Sequence, residues 1–123
     1  MEDGGTKIDK GVRSLRMIVA SDHGGVHLKK EILSLLRDLQ IEYIDEGCHC
    51  ETSVDYPDYA EPVARKVAAG EYDLGILICG TGIGMSIAAN KVPGIRCAVV
   101  SDEFSARMSR EHNNANILAL GER

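Results

Sequence analysis

Short apolar runs alternate with amphipathic stretches along most of the chain. The apolar runs suit the strands of a buried sheet, and the stretches between them repeat apolar residues at helical spacing. The predicted strands are 17–21, 41–45, 74–79, 95–100 and 117–120. The predicted helices are 26–39, 57–69, a segment that ends near residue 90, and 103–111.

The first predicted helix shows the amphipathic pattern most clearly. Its apolar residues fall on one face, whereas most of its charged residues, Lys29 among them, fall off that face. Such a helix covers one side of a sheet. The expected buried face consists of Leu28, Ile32, Leu35, Leu36 and Leu39.

Strict alternation of strands and helices predicts an α/β fold, in which helices joined by right-handed crossovers cover both faces of a five-stranded parallel sheet. The expected strand order is 2-1-3-4-5. In such sheets ligands bind beyond the carboxyl ends of the strands, where the strand order reverses. Strands one and three flank that point, so we expect their trailing turns, Asp22-His23-Gly24-Gly25 and Cys79-Gly80-Thr81-Gly82, to meet.

Length and composition place this pattern in one domain. The chain has 123 residues, of which 44% are hydrophobic and 27% are charged. Residues 1–15 are polar, contain glycine and lack periodicity. They are predicted to form a disordered extension in front of a single domain at 16–123.

Charge and hydropathy argue against several classes of partner. The formal charge of −5 disfavours nucleic acid and anionic membrane surfaces, because both bind basic proteins. No apolar run approaches the ~20 residues that span a membrane, and the N-terminus lacks the apolar core of a secretion signal. We therefore expect a cytoplasmic protein with no nucleic-acid or membrane partner. A local pocket can still bind a phosphorylated small molecule.

The four cysteines, Cys48, Cys50, Cys79 and Cys97, fit reduced thiols better than a disulfide framework. Two of them lie in apolar runs, where cysteine packs as a small hydrophobe. The Cys48-His49-Cys50 triplet is a weak metal signal, because structural zinc sites favour wider cysteine spacing and a second ligand pair. A plain loop is the favoured interpretation, and we expect no metal.

Cys79 stands between the third strand and a glycine-rich turn that leads into a helix. The partial positive charge of a helix N-terminus stabilises a thiolate, which can act as a general base or as a nucleophile. The alternative is a buried structural cysteine, and the glycines favour function. The Gly80-Thr81-Gly82-Ile83-Gly84 turn matches neither the dinucleotide fingerprint nor a P-loop. It serves close packing or cradles an oxyanion.

Two further polar turns are candidates for chemistry. Asp22-His23 by itself would indicate a helix cap with an exposed neighbour, but its expected place at the crevice favours a functional role. His112-Asn113-Asn114 precedes the last strand, and we expect it to open at or near the carboxyl side of the sheet. His112 alone is equally consistent with helix capping and with chemistry. His27 and His49 lack such a context and are expected to be structural.

Five motifs, taken in order, resemble the type B ribose-5-phosphate isomerases, a family that also includes allose-6-phosphate isomerases and galactose-6-phosphate isomerase subunits. The resemblance runs from about residue 17 to residue 123. It implies a Rossmann-like three-layer α/β/α fold, a homodimer or dimer of dimers, no metal or other cofactor, and reversible conversion of ribose 5-phosphate to ribulose 5-phosphate. The motifs are Ser21-Asp22-His23-Gly24-Gly25, Asp55-Tyr56-Pro57-Asp58-Tyr59-Ala60, the block from Cys79 to Asn90, Lys91-Val92-Pro93-Gly94-Ile95-Arg96, and Arg110-Glu111-His112-Asn113-Asn114-Ala115-Asn116.

Matched position by position, the resemblance implies roles for particular residues. Cys79 corresponds to the base that moves a proton between C2 and C1 of the open-chain sugar, Thr81 to a hydroxyl that assists it, and His112 to the residue that opens the furanose ring. Met85 stands where part of the family has a carboxylate, and methionine cannot take a proton. The implied substrate-binding residues are Asp22, His23, Tyr56, Gly80, Gly82, Gly84, Asn113 and Arg123.

The family continues past the position of Arg123 into a C-terminal helix and a tail whose arginines bind the substrate phosphate. We therefore expect the fifth strand to expose apolar surface. The phosphate would depend on His23, Arg110, Arg123 and main-chain donors. Two alternatives stay open. One is a truncated, weakly active or inactive family member that serves as a binding or oligomerisation module, and the other is a thiol-dependent hydrolase built on Cys79 and His112.

Overall fold

The computed structural model describes residues 14–48 and 54–123. In this part of the chain strands and helices alternate as predicted, and their ends lie within a few residues of the expected positions. A 3₁₀ turn, His23–Gly25, links the first strand to the first helix. The elements are β1 Arg16–Ser21, α1 Val26–Asp38, β2 Glu42–Asp45, α2 Pro57–Ala68, β3 Leu74–Cys79, α3 Ile83–Asn90, β4 Cys97–Val99, α4 Glu103–Glu111 and β5 Ile117–Gly121. Of the predicted N-terminal extension, residues 1–13 lie outside the described part.

The five strands form one parallel sheet with the order β2-β1-β3-β5-β4. The predicted α/β class and the parallel sheet are confirmed, but the predicted order of the last two strands is wrong. β5 is paired on both sides, with β3 from Gly75↔Ile117 to Cys79↔Gly121 and with β4. β4 has only three residues, none of them fully buried, and so short a strand suits a sheet edge better than the interior.

Both faces of the sheet carry an apolar core, as a parallel sheet requires. β1 shows why, because its side chains alternate between the two faces. Ile18 and Ala20 join the core under α2 and α3, whereas Met17 and Val19 join the core under α1. None of the helices in the described residues is long and apolar enough to cross a membrane.

The buried face of α1 differs from the predicted one. Leu35 and Leu39 are 54% and 58% exposed, whereas Lys29 is only 2% exposed. The Lys29 Nζ donates to Asp45 Oδ1 at 2.7 Å and to the Cys48 carbonyl oxygen at 2.6 Å. A lysine stem can be buried when its ammonium finds such partners, and leucine spacing alone does not reveal this. The fully buried face consists of Val26, Lys29, Leu33 and Leu36.

An apolar cavity of about 740 Å³ opens on the α1 face of the sheet, beside β5. Leu118 and Leu120 of β5 line its floor, and Leu28 of α1 and Ala106 of α4 line its sides. Both β5 leucines are half-buried. This agrees with the expectation that the last strand leaves apolar surface exposed.

Candidate active site

The turns that follow β1 and β3 lie against each other at the carboxyl edge of the sheet. Ser21 is in register with Ile78, and the main-chain N–H of Asp22 donates to the Ile78 carbonyl oxygen at 3.1 Å. A Cβ placed on Gly24 would lie 3.2 Å from the main-chain nitrogen of Gly80. The two turns therefore meet, as the sheet topology leads one to expect.

Cys79 is the last residue of β3 and is only 5% exposed. Its Sγ accepts a hydrogen bond from the main-chain N–H of Gly82 at 3.0 Å. Gly82 has a φ of +84°, which favours glycine, and a Cβ there would also lie 3.2 Å from the Ala119 carbonyl oxygen. This backbone conformation aims a main-chain donor at the sulfur, where it stabilises negative charge.

Thr81 and Tyr56 lie beside the N-terminus of α3. The exposed Thr81 side chain accepts the main-chain N–H of Ile83 through Oγ1 at 3.2 Å, which leaves its hydroxyl proton able to point toward a ligand. The Tyr56 ring covers Gly84, because a Cβ on that glycine would lie 3.0 Å from the ring. Gly84 belongs to the first turn of α3, where main-chain N–H groups have no partner within the helix.

Asp22 and His23 follow β1. Asp22 is 7% exposed, and its Oδ1 accepts the main-chain N–H of Gly24 at 2.8 Å, so this carboxylate caps its own turn. The half-buried His23 accepts the main-chain N–H of Val54 at its Nδ1, at 3.1 Å. Both side chains thus have defined positions next to the Cys79 turn.

The residues after β5 complete this edge of the site. The main-chain N–H groups of Glu122 and Arg123 donate to the carbonyl oxygens of Cys79 (2.9 Å) and Gly80 (3.1 Å). The Arg123 guanidinium lies 2.9 to 3.3 Å from where a Cβ on Gly80 would be. These contacts exist because β5, rather than β4, is the neighbour of β3.

His112 and Asn113 lie at the amino ends of the strands, so their predicted position at or near the carboxyl side of the sheet is wrong. α4 starts after the carboxyl end of β4 and returns to the amino end of β5, and both residues follow α4. Nearby, the Asn116 carbonyl oxygen accepts the main-chain N–H of Gly75 at the start of β3. Cys79 lies four residues further along β3, or ~13 Å at the usual rise of a strand.

Arg110, expected to help with phosphate, also lies at the amino edge, where its Nη1 donates to the Ala115 carbonyl oxygen at 2.5 Å. The position of His112 also weakens the hydrolase alternative within one chain. A nucleophile such as Cys79 and its base must lie within hydrogen-bonding reach of each other, and His112 lies at the other end of the strands. A segment that precedes a parallel strand lies at the amino end of that strand. This position follows from the parallel sheet that the sequence predicts, and the expectation for His112 did not apply that rule.

The structure adds two residues that sequence reasoning missed. Glu122 Oε1 accepts the main-chain N–H of Leu28 at 2.9 Å and so joins the end of β5 to the first turn of α1. Val54 fixes the ring of His23. Glu122 was open to prediction as a carboxylate directly after a strand at the ligand edge, whereas nothing in the sequence marks the main-chain donor of Val54.

The remaining candidates play no part in the pocket. Met85 is fully buried in the core under α2 and α3. Burial raises the pKa of the Cys97 thiol to about 12, so this thiol stays protonated at neutral pH. Across residues 14–48 and 54–123 there is no group of three or more His, Cys, Asp or Glu side chains that could hold a metal. His49 and Cys50 of the triplet lie outside these ranges.

Comparison with known proteins agrees with the geometry. A family model described as ribose/galactose isomerase matches residues 17–123. The ribose-5-phosphate isomerase B of Escherichia coli (strain K12) is 54% identical over 102 residues, which are 83% of this chain and 68% of that relative.

Solved structures give the same result. Ribose-5-phosphate isomerase B of Clostridium thermocellum matches with a TM-score of 0.87 and 60% identity, over 89% of this chain and 74% of that one. Ribose-5-phosphate isomerase B of Mycoplasma genitalium, solved with bound ribulose-5-phosphate, matches with a TM-score of 0.84 and 46% identity over the same shares. About a quarter of the length of these two solved chains has no counterpart in the match.

Proposed function

The chain belongs to the ribose/galactose isomerase family, and from this premise we propose that it interconverts ribose 5-phosphate and ribulose 5-phosphate. The observation that carries the proposal is the Cys79 thiol, held against the main-chain N–H of Gly82 beneath two turns that carry His23 and Arg123. Aldose–ketose isomerisation needs a base next to a carbonyl and donors for the resulting oxyanion. This pocket combines the two.

Cys79 is the proposed base. As a thiolate it removes the proton from C2 of the open-chain aldose, the C2–H electrons form the C1–C2 double bond of the enediolate, and the carbonyl π electrons move onto O1. The thiol then returns the proton to C1, while the proton of the O2 hydroxyl passes to O1 and O2 becomes the carbonyl oxygen of the ketose. The fully buried thioether of Met85 has no proton-accepting group, so the proposed base is the Cys79 thiol rather than a carboxylate at the position of Met85.

Main-chain and hydroxyl donors are proposed to stabilise the enediolate. The first-turn N–H groups of α3 near Gly84 and the Thr81 hydroxyl lie within a few residues of the thiol in the turn that follows β3. Each well-placed donor lowers the barrier by ~3 kcal/mol. The Gly82 N–H is already directed at the Cys79 Sγ, so its proposed role is to stabilise the thiolate.

Substrate binding is proposed to involve the remaining side chains at the carboxyl edge. Asp22, His23 and Tyr56 contact sugar oxygens, and Arg123 supplies positive charge for the phosphate. The exposed guanidinium beside Gly80 supports this role for Arg123. A cytoplasmic location and a single domain over residues 16–123 belong to the same proposal.

A second copy of the chain is proposed to complete the site. If His112 and Asn113 act on the substrate, they must come from another subunit, because in their own chain they lie at the opposite edge of the sheet. Ile83 and Ile87 of α3 are 54% and 53% exposed, beside the partly exposed Tyr56. Apolar surface of this kind next to a site is typical of a subunit interface. We infer a homodimer in which His112 of the partner subunit reaches Cys79.

The test of the proposal is isomerase activity in the wild-type chain and its loss in Cys79→Ala. Removal of a general base lowers kcat by about 10²- to 10⁴-fold, measured as ribulose 5-phosphate formed from ribose 5-phosphate. Cys97→Ala is the matched control, since it removes a thiol far from the turn, and should keep wild-type activity. Activity that survives Cys79→Ala would refute the assignment of the base. Sugar-phosphate binding by the wild type without turnover would favour the binding-module alternative.

A further inference from the structure

The imidazole of His23 is held by a main-chain donor. The N–H of Val54, thirty-one residues away in the sequence, donates to Nδ1 of His23 at 3.1 Å. A ring nitrogen that accepts a hydrogen bond carries no proton, so the proton of the neutral ring lies on Nε2. The hydrogen bond that Nδ1 accepts therefore makes Nε2 a hydrogen-bond donor.

We propose that Val54 fixes His23 as the neutral Nε2–H tautomer, which makes His23 a hydrogen-bond donor to an oxygen of the sugar phosphate and neither a base nor a cation. The identity of the ligand rests on the proposed function, but the tautomer does not. Val54 is a positioning residue, because its main-chain N–H acts on the substrate only through the ring of His23.

The surroundings of His23 fit this role. In Asp22, the carboxylate next in sequence, Oδ1 is turned to the main-chain N–H of Gly24 at 2.8 Å, and so caps the turn. Arg123 supplies positive charge here, because its guanidinium lies 2.9 Å from where a Cβ on Gly80 would be, and a Cβ on Gly24 would in turn lie 3.2 Å from the Gly80 nitrogen. A neutral donor adds a directional contact to an anionic ligand without a second cation.

Substitution of His23 separates the possible roles. His23→Gln keeps an N–H donor near the position of Nε2 but has neither a basic nitrogen nor a charge. We expect His23→Ala to raise KM by about tenfold, the value of one good hydrogen bond, with kcat little changed. His23→Gln should restore most of the loss. If His23→Gln is as impaired as His23→Ala, the donor role is refuted.

The tautomer can be read directly by ¹⁵N NMR of the histidine side chains in the ligand-free protein at pH 8. The His23 signals are identified by their absence in His23→Gln. The wild type should show a protonated Nε2 and an unprotonated Nδ1. A proton on Nδ1, or a charged ring, would overturn the proposal whether or not the protein is an isomerase.

Val54→Pro removes the main-chain donor, and Val54→Ala is its matched control, because it keeps the N–H while changing the side chain. We expect His23 to become a mixture of tautomers in Val54→Pro and to stay wild-type in Val54→Ala. An unchanged ring in a folded Val54→Pro would refute the role of Val54. If Val54→Pro does not fold, the wild-type spectrum and His23→Gln still decide the tautomer and the donor role.

Discussion

At the scale of single residues, the backbone conformation of Gly82 holds the thiol of Cys79. A left-handed residue at the start of α3 points its N–H at the sulfur, and a Cβ there would lie only 3.1 to 3.2 Å from the carbonyl groups of Leu120 and Ala119, a tight contact. The Cys79 thiol is thus positioned by a main-chain group.

Gly82→Ala is expected to lower activity as well as stability. The strained φ and the close carbonyl groups should cost at least ~1 kcal/mol in the free energy of unfolding, and displacement of the N–H from Cys79 should reduce kcat by about tenfold or more. Urea unfolding and steady-state kinetics measure the two effects. Gly70→Ala is the control, because Gly70 has a φ of +82° but no atom within 4 Å of a new Cβ. It should lose stability alone.

The Cys97 thiol is expected to be unreactive near neutral pH. Burial raises the pKa of Cys97 to about 12, so at pH 8 only about one molecule in 10⁴ carries its thiolate, the form that reacts. Iodoacetamide should leave Cys97 unmodified at pH 8, and its rate should rise about tenfold per pH unit up to pH 12. Peptide mass spectrometry of Cys79→Ala measures Cys97 without interference from the Cys79 thiol. Fast labelling of Cys97 at pH 8 would contradict the raised pKa of its thiol.

At the scale of elements, Lys29 ties α1 to the end of β2. Its ammonium bonds Asp45 and the Cys48 carbonyl. The main chain at Gly47 and Cys48 in turn hydrogen-bonds Ser21, directly before the Asp22-His23 turn. A lysine in the buried face of a helix therefore supports one side of the candidate site.

Lys29→Met is expected to destabilise the fold by about 1–3 kcal/mol, because it removes one partner of a largely buried ion pair. We expect a smaller loss of stability than for a fully buried ion pair because the Asp45 side chain is 22% exposed. Chemical denaturation measures the loss. Lys30→Met, at the exposed neighbouring position of the same helix, should change stability by less than about 0.5 kcal/mol. Equal effects of the two changes would contradict the role given to Lys29.

At the scale of the whole molecule, the strand order decides which residues share a site. With β5 next to β3, Glu122 and Arg123 reach the Cys79 turn, while the return of α4 to the amino end of β5 carries His112 away. A ring-opening role for His112 therefore depends on a second subunit.

Mixed dimers test this dependence. Cys79→Ala and His112→Ala should each be inactive as homodimers, whereas joint refolding of the two should restore about a quarter of wild-type activity, since half of the dimers are mixed and each has one intact site. Two different Cys79 variants refolded together should stay inactive. If the mixture of Cys79→Ala and His112→Ala also stays inactive, the shared site is refuted.

The sequence predicted most of the fold and part of the candidate site. Hydrophobic periodicity predicted every strand and helix of the described residues, because spacing along one segment is a local property. It misplaced the buried face of α1, where the stem of Lys29 packs like an apolar residue. Periodicity also does not distinguish which of the two apolar segments, β4 or β5, lies in the interior of the sheet. The predicted order of these two strands was therefore wrong.

The sequence by itself determined the elements, the parallel α/β class, the family and the meeting of the Asp22-His23 and Cys79 turns. These follow from local patterns and from the rule that parallel strands bring their carboxyl ends to one edge. Only the tertiary structure decided the strand order, the contact of Arg123 with Gly80 and the burial of Lys29. Each of these depends on packing between segments distant in sequence, and local propensity does not encode which segment becomes the neighbour of which.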